Sequence, residues 1–464
     1  MDRLDRIALL VAAAIVSFVI FVPPVVGLAD NGDFCKICSR FDLYLPNHTY
    51  AYADTTYVYD PQHHWTSEFI TPEIPLAWLA VRISRIFSAT TFDMRWMGAV
   101  HAALYLLVFY LALPLMRGLS KIRRVILLTA IILILFDIMY VSALSSFYMD
   151  TATWIFLCLS VVFYLRTLRW PTDKHRIALL ISLALLMTAK TQHIVAGLAL
   201  LALIVVTRRQ LGFTRPVWLG SLAATAAVAF ALAWIGTPRG YTSIPVFNTI
   251  FHEILPHSDN IHRDLADLGL DDSYARWIGM DSYTKDSPMS KDSFVETFKQ
   301  RTGQMRIAMF LARHPAKTWR MLMDATAEAG HQRPYLGNYD RKTGARENQE
   351  SGSFSVWSSL KRSLFWHHGE VYLAYVIGLI ALLWFLAWRR PGIRAAVVVF
   401  AGLTILELLI ASLGDVLDTL RHEWIFNGLT DLGMVCAVAL LVGRRAGIQE
   451  SQKPRIQDQQ LVTS

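Results

Sequence analysis

Apolar runs of roughly membrane-crossing length alternate with short polar connections along most of this 464-residue chain. A helix needs about 20 predominantly apolar residues to cross about 30 Å of hydrocarbon. On that criterion the pattern predicts spans near 7–28, 95–116, 125–146, 151–166, 177–189, 193–207, 217–236, 371–388, 395–413 and 426–443, about ten in all. The pair 177–189 and 193–207 is short enough to form a re-entrant hairpin, which leaves the parity of the chain unchanged. The first run is too long for a signal peptide and shows no cleavage pattern, so it is read as a retained helix. Segment 71–87, TPEIPLAWLAVRISRIF, is apolar on one face and carries Arg82 and Arg85 on the other, the pattern of a helix lying in the membrane interface. Residues 303–329 repeat apolar positions at helical spacing, and Pro315 divides them into two short helices.

Composition sharpens this picture. Hydrophobic residues make up 54% and charged residues 17%, against about a quarter charged in a soluble protein. Disorder, a collagen-like fibre and a small disulfide scaffold are excluded, and the expected class is an all-α polytopic membrane protein. The net charge of +8 does not signal nucleic acid, because the basic residues gather in short connections. Arg3 and Arg6, then Arg117 to Arg124, Arg166 to Arg176, Arg208 to Arg215, Arg389 to Arg394, and Arg444 with Arg445 all fall on one side when ten spans are counted. By the positive-inside rule that side is the cytoplasm, with both termini inside, in a plasma (inner) membrane. The chain then divides into an N-terminal transmembrane module (1–236), a large outer loop (237–370), C-terminal spans (371–445) and a polar, disordered tail (446–464). No internal repeat is apparent, which weighs against the inverted-repeat plan of many transporters.

The unusual polar groups converge on the outer face. The loop 29–71 opens with Asp30-Asn31-Gly32-Asp33, readable as a solvated turn or as a carboxylate base at the water–lipid boundary. SSFYMD at 145–150 puts Asp150 at the mouth of a span, where it either caps the helix or serves the chemistry. TAKTQH at 188–193 brings Lys190, Gln192 and His193 to a hairpin tip, and GDVLDTLRHEW at 414–424 adds Asp415, Asp418, Arg421, His422 and Glu423. An ionisable group at membrane depth is costly and is a functional-site candidate by default. Arg421-His422 reads as an interfacial pair with Asp418 or as a clamp on a lipid-borne phosphate. Cys35 and Cys38 form one CxxC, open to a disulfide or, with His63-His64, a metal site. Cys158 and Cys436 read as apolar fillers, His367-His368 as an interfacial feature, and Asn47-His48-Thr49 fits a glycosylation sequon.

This arrangement of spans and outer-face groups resembles the GT-C superfamily of membrane glycosyltransferases that use polyprenyl-phosphate sugars. NGDF at 31–34, SFYMD at 146–150 and RPYLGNYDRKTG at 333–344 resemble motifs of bacterial glycan-biosynthesis hexose transferases. Asp30 stands where that family often has Asn, and Asp150 where it usually has Glu. The resemblance implies transfer of a sugar from a polyprenyl phosphate to an acceptor hydroxyl on a glycan, lipid or protein. It assigns the base to Asp33 with Asp30 as the alternative, and the leaving phosphate to Lys190, Arg421 and His422, beside Gln192 and His193. Asp150 would orient the acceptor or hold a divalent cation, and an apolar groove between spans would take the prenyl chain. The large loop would select the acceptor through His331, Arg333, Tyr335 and Asn338. A single displacement inverts the anomeric centre. A lipid-linked glycan polymerase and a non-enzymatic transporter are the alternatives.

Overall fold

The computed structural model describes residues 1–46, 48–237, 243–414 and 416–450. Asn47 of the sequon, Asp415 and the tail beyond 450 lie outside the described residues. The first helix, α1 (Arg3–Phe21), leads into the first long loop. That loop contains a three-stranded antiparallel sheet, β1 (Leu43–Tyr44), β2 (Thr56–Tyr59) and β3 (Thr91–Asp93), with Tyr57 opposite Phe92. The apolar-run reading missed these strands, which are too short to register there, although TYVY and TFD are β-branched and aromatic. Between β2 and β3 lies α2 (Glu73–Phe87), the predicted interfacial helix, with Trp78, Leu79, Ile86 and Phe87 exposed.

The bundle continues through α3 (Arg95–Ala112), α4 (Lys121–Leu135), α5 (Ile138–Val141), α6 (Met149–Arg169), α7 (Asp173–Ala189), α8 (Ile194–Val206) and α9 (Pro216–Ile235). The large loop includes α10 (Gln304–Arg313) and α11 (Pro315–Ala329), split at Pro315, and ends in α12 (Val356–Phe365). Then come α13 (Gly369–Ala387), α14 (Pro391–Gly414), the short α15 (Thr419–His422) and α16 (Trp424–Glu450). Part of the loop has its own aromatic core, with Phe247, Phe251, Tyr274, Phe298 and Phe310 buried together. The last turns of α16 run into the segment expected to be disordered, since Arg, Ala, Gln and Glu there are good helix formers.

Among the described residues seven helices are long and apolar enough to cross a membrane: α1, α3 with the turn after it, α6, α9, α13, α14 and α16. The span expected at 125–146 is instead the bent pair α4 and α5 plus the turn after it, with a 51° break. Asp137 causes that break. Its carboxylate accepts the Met139 N–H (3.0 Å) at the start of α5, and also the N–H groups of Trp357 (3.1 Å) and Ser358 (3.0 Å) at the start of α12. One anion thus caps two helix N-termini. The remaining two of the ten expected spans are α7 and the shorter α8. At 1.5 Å per residue α8 rises only about 20 Å, short of the hydrocarbon thickness. Lys190 and His193 at the hairpin tip are buried within the bundle.

Burial around α6 organises the site end. Trp154 is fully buried and stacks on Tyr140 with ring centroids 4.5 Å apart. A Cβ on Gly428 would lie 2.5 Å from the Trp154 ring, so only glycine lets α16 approach here. Towards the opposite end, α3, α4, α6 and α16 line a half-open apolar cleft of about 280 Å³ that includes Phe109, Ile131, Val162 and Leu432.

A second ionic cluster pins α12 to α16. Lys361 donates to Asp431 (2.8 Å), which also accepts from Tyr140 (2.6 Å) and Trp357 (2.8 Å), and both charged side chains are buried. Removing one partner of a buried ion pair strands the other charge, at a cost of about 3–5 kcal/mol. Lys361→Met should accordingly lower the thermal unfolding temperature in detergent. Lys361→Met with Asp431→Asn, which removes the stranded charge and keeps a carbonyl oxygen to accept from Tyr140 and Trp357, should recover most of the loss; a double variant as unstable as the single one would mean that the packing, not the charge, is responsible.

Candidate functional site

The site is built where the first long loop, the start of α6, the α7–α8 turn and the α14–α16 connection meet. Asp30 accepts the N–H groups of Gly32 (2.8 Å) and Phe34 (3.0 Å), which closes the turn, and pairs with His48 at 3.2 Å. The turn aims Asp33 outward from Asp30. Asn31 uses its backbone N–H to reach the Tyr148 hydroxyl (2.9 Å), which itself donates to the Ala29 carbonyl (2.8 Å). The Asn31 side chain donates to Asp418. NGDF and SFYMD are thus joined directly, and both are tied to the α15 connection.

Arg421 is the centre of the cluster. Its Nε donates to Asp418 (2.6 Å), Nη2 stands 2.8 Å from Asp33, Nη1 donates to Asp150 (3.3 Å), and the guanidinium lies 5.0 Å from the Tyr148 ring centroid. Three nitrogens therefore face three carboxylates, a task that suits the planar fork. Asp418 holds its end with a left-handed backbone, φ 55°, a strained conformation that persists only where surroundings enforce it. Burial alone would weaken the charge on Arg421, but Asp33, Asp418 and Asp150 reverse this and raise its pKa well above the ordinary value.

Asp150, buried at the N-terminus of α6, receives both of its remaining contacts from the hairpin tip. Lys190 Nζ donates to its two oxygens at 2.9 and 3.1 Å, and His193 Nε2 lies 3.2 Å from Oδ1. Three cationic or cation-forming groups on one carboxylate leave no lone pair for a divalent cation, so the donor set does not fit a metal held by Asp150. Asp33 is likewise taken, by Arg421 and by Lys36. Burial would raise the Asp33 carboxyl, but Arg421, Lys36 and Lys190 outweigh it and hold the group well below the usual carboxylate range. His422 is buried 3.5 Å from Arg421, with Nδ1 unpartnered among the described residues. Burial, then Lys190 and Arg421, push its pKa well below the ordinary value, so its ring is neutral.

The sequence candidates thus separate. Asp33, Asp150, Lys190, His193, Arg421 and His422 come together. Asp30 is spent on its turn, and Gln192, half-buried at the hairpin tip, makes no hydrogen bond among the described residues. The 333–344 motif lies apart from this cluster and packs against residues 27–29. Asn338 donates to the Gly27 carbonyl (2.8 Å) and accepts the Ser351 N–H (2.9 Å), while the Gly337 carbonyl takes the Ala29 N–H (2.9 Å). A Cβ on Gly337 would lie 2.0 Å from the Ala51 carbonyl oxygen, which accounts for glycine in this motif. The segment braces the extended stretch 26–29 that leads into NGDF. Arg333 is buried against Glu350 (3.0 Å), His331 bonds back to the Arg333 carbonyl (2.7 Å), and Tyr335, half exposed, donates to Glu328 (3.0 Å). None of these four has a polar contact with the Arg421 cluster among the described residues.

Cys35 and Cys38 are free thiols. Burial, then Asp30, raises the pKa of both. Three groups escaped the sequence reading. Tyr148 lies inside SFYMD without having been singled out. Glu407 interrupts the apolar run TILELLI of α14 and contacts His193 at 2.9 Å; a lone acid inside a span was the available signal. Glu73 and His101, fully buried 3.1 Å apart, lie behind the hairpin tip, where Thr71 donates to the Ala189 carbonyl.

No curated relative matches the chain. Among solved structures it is similar to the crystal structure of the Archaeoglobus fulgidus oligosaccharyltransferase tethered by a disulfide to an acceptor peptide containing the NVT sequon, at 15% identity and a TM-score of 0.42. That likeness covers 97% of this chain and 51% of the other, so the chain spans about half the length of that protein. The family model described as the YfdI N-terminal transmembrane domain matches residues 2–459. On a match of that extent, this multi-pass membrane chain belongs to the YfdI N-terminal transmembrane domain family.

Proposed function

We propose that the chain is a membrane glycosyltransferase of the GT-C kind that moves a sugar from a polyprenyl phosphate to an acceptor hydroxyl on the extracytoplasmic face. The observation that carries this reading is the contact of Asp33 with Arg421, above Asp150 and Lys190, at the end of the bundle opposite the Arg/Lys-rich connections. A carboxylate base and a phosphate clamp share one pocket; in a single displacement the acceptor approaches the anomeric carbon from the Asp33 side and the phosphate leaves from the opposite side. The acceptor oxygen bonds to the anomeric carbon and its proton passes to Asp33. The anomeric carbon–oxygen bond breaks, and its electron pair stays on the lipid phosphate. The negative charge thus moves from Asp33 to the phosphate, both within reach of Arg421. Arg421 and Lys190 stabilise that developing anion in a site of low polarity, where such preorganised charge has its greatest effect. His422, neutral, contributes a hydrogen bond rather than a charge. The donor's phosphate draws the guanidinium away from Asp33, which restores the basicity of that carboxylate. Tyr335 is the half-exposed residue of the 333–344 motif open to an acceptor.

Asp431 and Glu407 lie about two turns inside their spans, a placement that also suits a transporter. Each is closed by a partner from the site end, Lys361 or His193. Purified chain in nanodiscs with radiolabelled polyprenyl-phosphate sugar separates the readings. Labelled acceptor and free polyprenyl phosphate are expected; uptake of label without transfer would establish the transporter, and chain growth from two lipid-linked glycans the polymerase. Lys190→Ala should raise the donor KM by about tenfold or more, the scale of one charge-assisted hydrogen bond, with a smaller effect on acceptor KM. The reverse split would move Lys190 to the acceptor side.

A further inference from the structure

Glu407 is fully buried in α14, and its one close partner is His193, whose Nδ1 lies 2.9 Å from Oε2; Oε1 has no hydrogen bond among the described residues. The other ring nitrogen of His193 lies 3.2 Å from Asp150. A neutral imidazole has a single N–H and can donate to only one carboxylate. Two carboxylates on one ring therefore call for the doubly protonated form. The groups facing His193 are Asp150 from α6, Glu407 from α14 and Lys190 from its own turn, with Arg421 beyond Asp150. Two anions against one nearby cation also favour that charge.

Resting on the transferase reading, we propose that Glu407 is a positioning residue: it keeps His193 charged, so that His193 and Lys190 together fix Asp150 in the orientation that presents Lys190 and Arg421 to the donor phosphate. His193 is fully buried and touches no substrate; it acts through Asp150. With His193 neutral and turned to serve Glu407, its lone pair would face Asp150 and push the carboxylate off its two remaining cations. A glutamate inside an apolar span, expensive to bury, is thereby explained by the lipid-phosphate site that it supports.

The test is the pH profile of the donor KM, measured with polyprenyl-phosphate sugar and full-length protein in nanodiscs. In the wild type the profile should show no step near the ordinary histidine pKa, about 6.5. In Glu407→Gln, whose amide can still hydrogen-bond the ring, His193 should lose its proton as pH rises, and the donor KM should climb by about tenfold between about pH 6 and pH 8. Glu407→Asp retains the charge and should restore the profile without a step. His193→Gln, which cannot titrate, should show a raised donor KM at every pH and no step; it also serves if Glu407→Gln fails to accumulate. Parallel profiles for wild type and Glu407→Gln, or a step that persists in His193→Gln, would overturn the assignment. A wild type that transfers no sugar would instead overturn the transferase reading, an outcome distinct from these.

Discussion

Asp33→Asn, inserted and folded as the wild type, should lose sugar transfer by about 10²–10⁴-fold, the usual contribution of a positioned general base. The amide is isosteric and can still accept from Arg421 and Lys36, so the loss should appear in kcat with little change in donor KM. The free protein holds the Asp33 carboxyl well below its usual range, because Arg421 and Lys36 surround it. If donor phosphate takes over Arg421, the depression is partly relieved and the carboxyl titrates at higher pH. The sign follows: a base must be deprotonated to act, so the acid limb of kcat, which reports the bound complex, should lie at higher pH than that of kcat/KM, which reports the free protein. Transfer at the wild-type rate by Asp33→Asn would remove Asp33 from the chemistry. Coincident acid limbs would keep the base but discard the exchange of Arg421.

Arg421→Lys should be almost as damaging despite conserving the charge. An ammonium cannot face Asp418, Asp33 and Asp150 with three separate nitrogens in one plane, as the guanidinium does. We expect donor kcat/KM to fall by about 10²-fold or more, corresponding to about 3 kcal/mol of lost transition-state stabilisation. Inhibition by added polyprenyl phosphate should weaken in parallel, because the same clamp holds the product. Asp150 retains Lys190 and His193, and Asp33 retains Lys36, so the protein should still fold. A variant with near-normal donor kcat/KM would show that Arg421 organises carboxylates without gripping phosphate.

The charged partners of the candidate site were legible one at a time, because ionisable residues beside apolar runs stand out. Lys190, Asp150 and Arg421 were each visible for that reason. Their mutual contact was not, since 271 positions separate Asp150 from Arg421 in the chain and nothing local encodes the meeting. Glu407 went unread although a lone acid in TILELLI is the same kind of signal, because its role depends on a histidine on another hairpin. The 333–344 motif was legible as a motif but not as a brace, since its work is done by backbone groups of Gly337 and Asn338 against residues 27–29. Backbone pairing of that sort leaves no side-chain signature.

By itself the sequence determined that this is a helical membrane protein, where most of its spans lie, and which ends of them gather ionisable residues. Those properties depend on local hydrophobicity and on the cost of placing charge in hydrocarbon, both summed along contiguous residues. The tertiary structure decided the break at Asp137, the short strands of the first loop, the burial of the α7–α8 hairpin tip and the sharing of Arg421 among three carboxylates. Each of those depends on groups distant in sequence satisfying one another's charges and hydrogen bonds in a low-dielectric interior, where an unpaired group costs more than any local preference can supply.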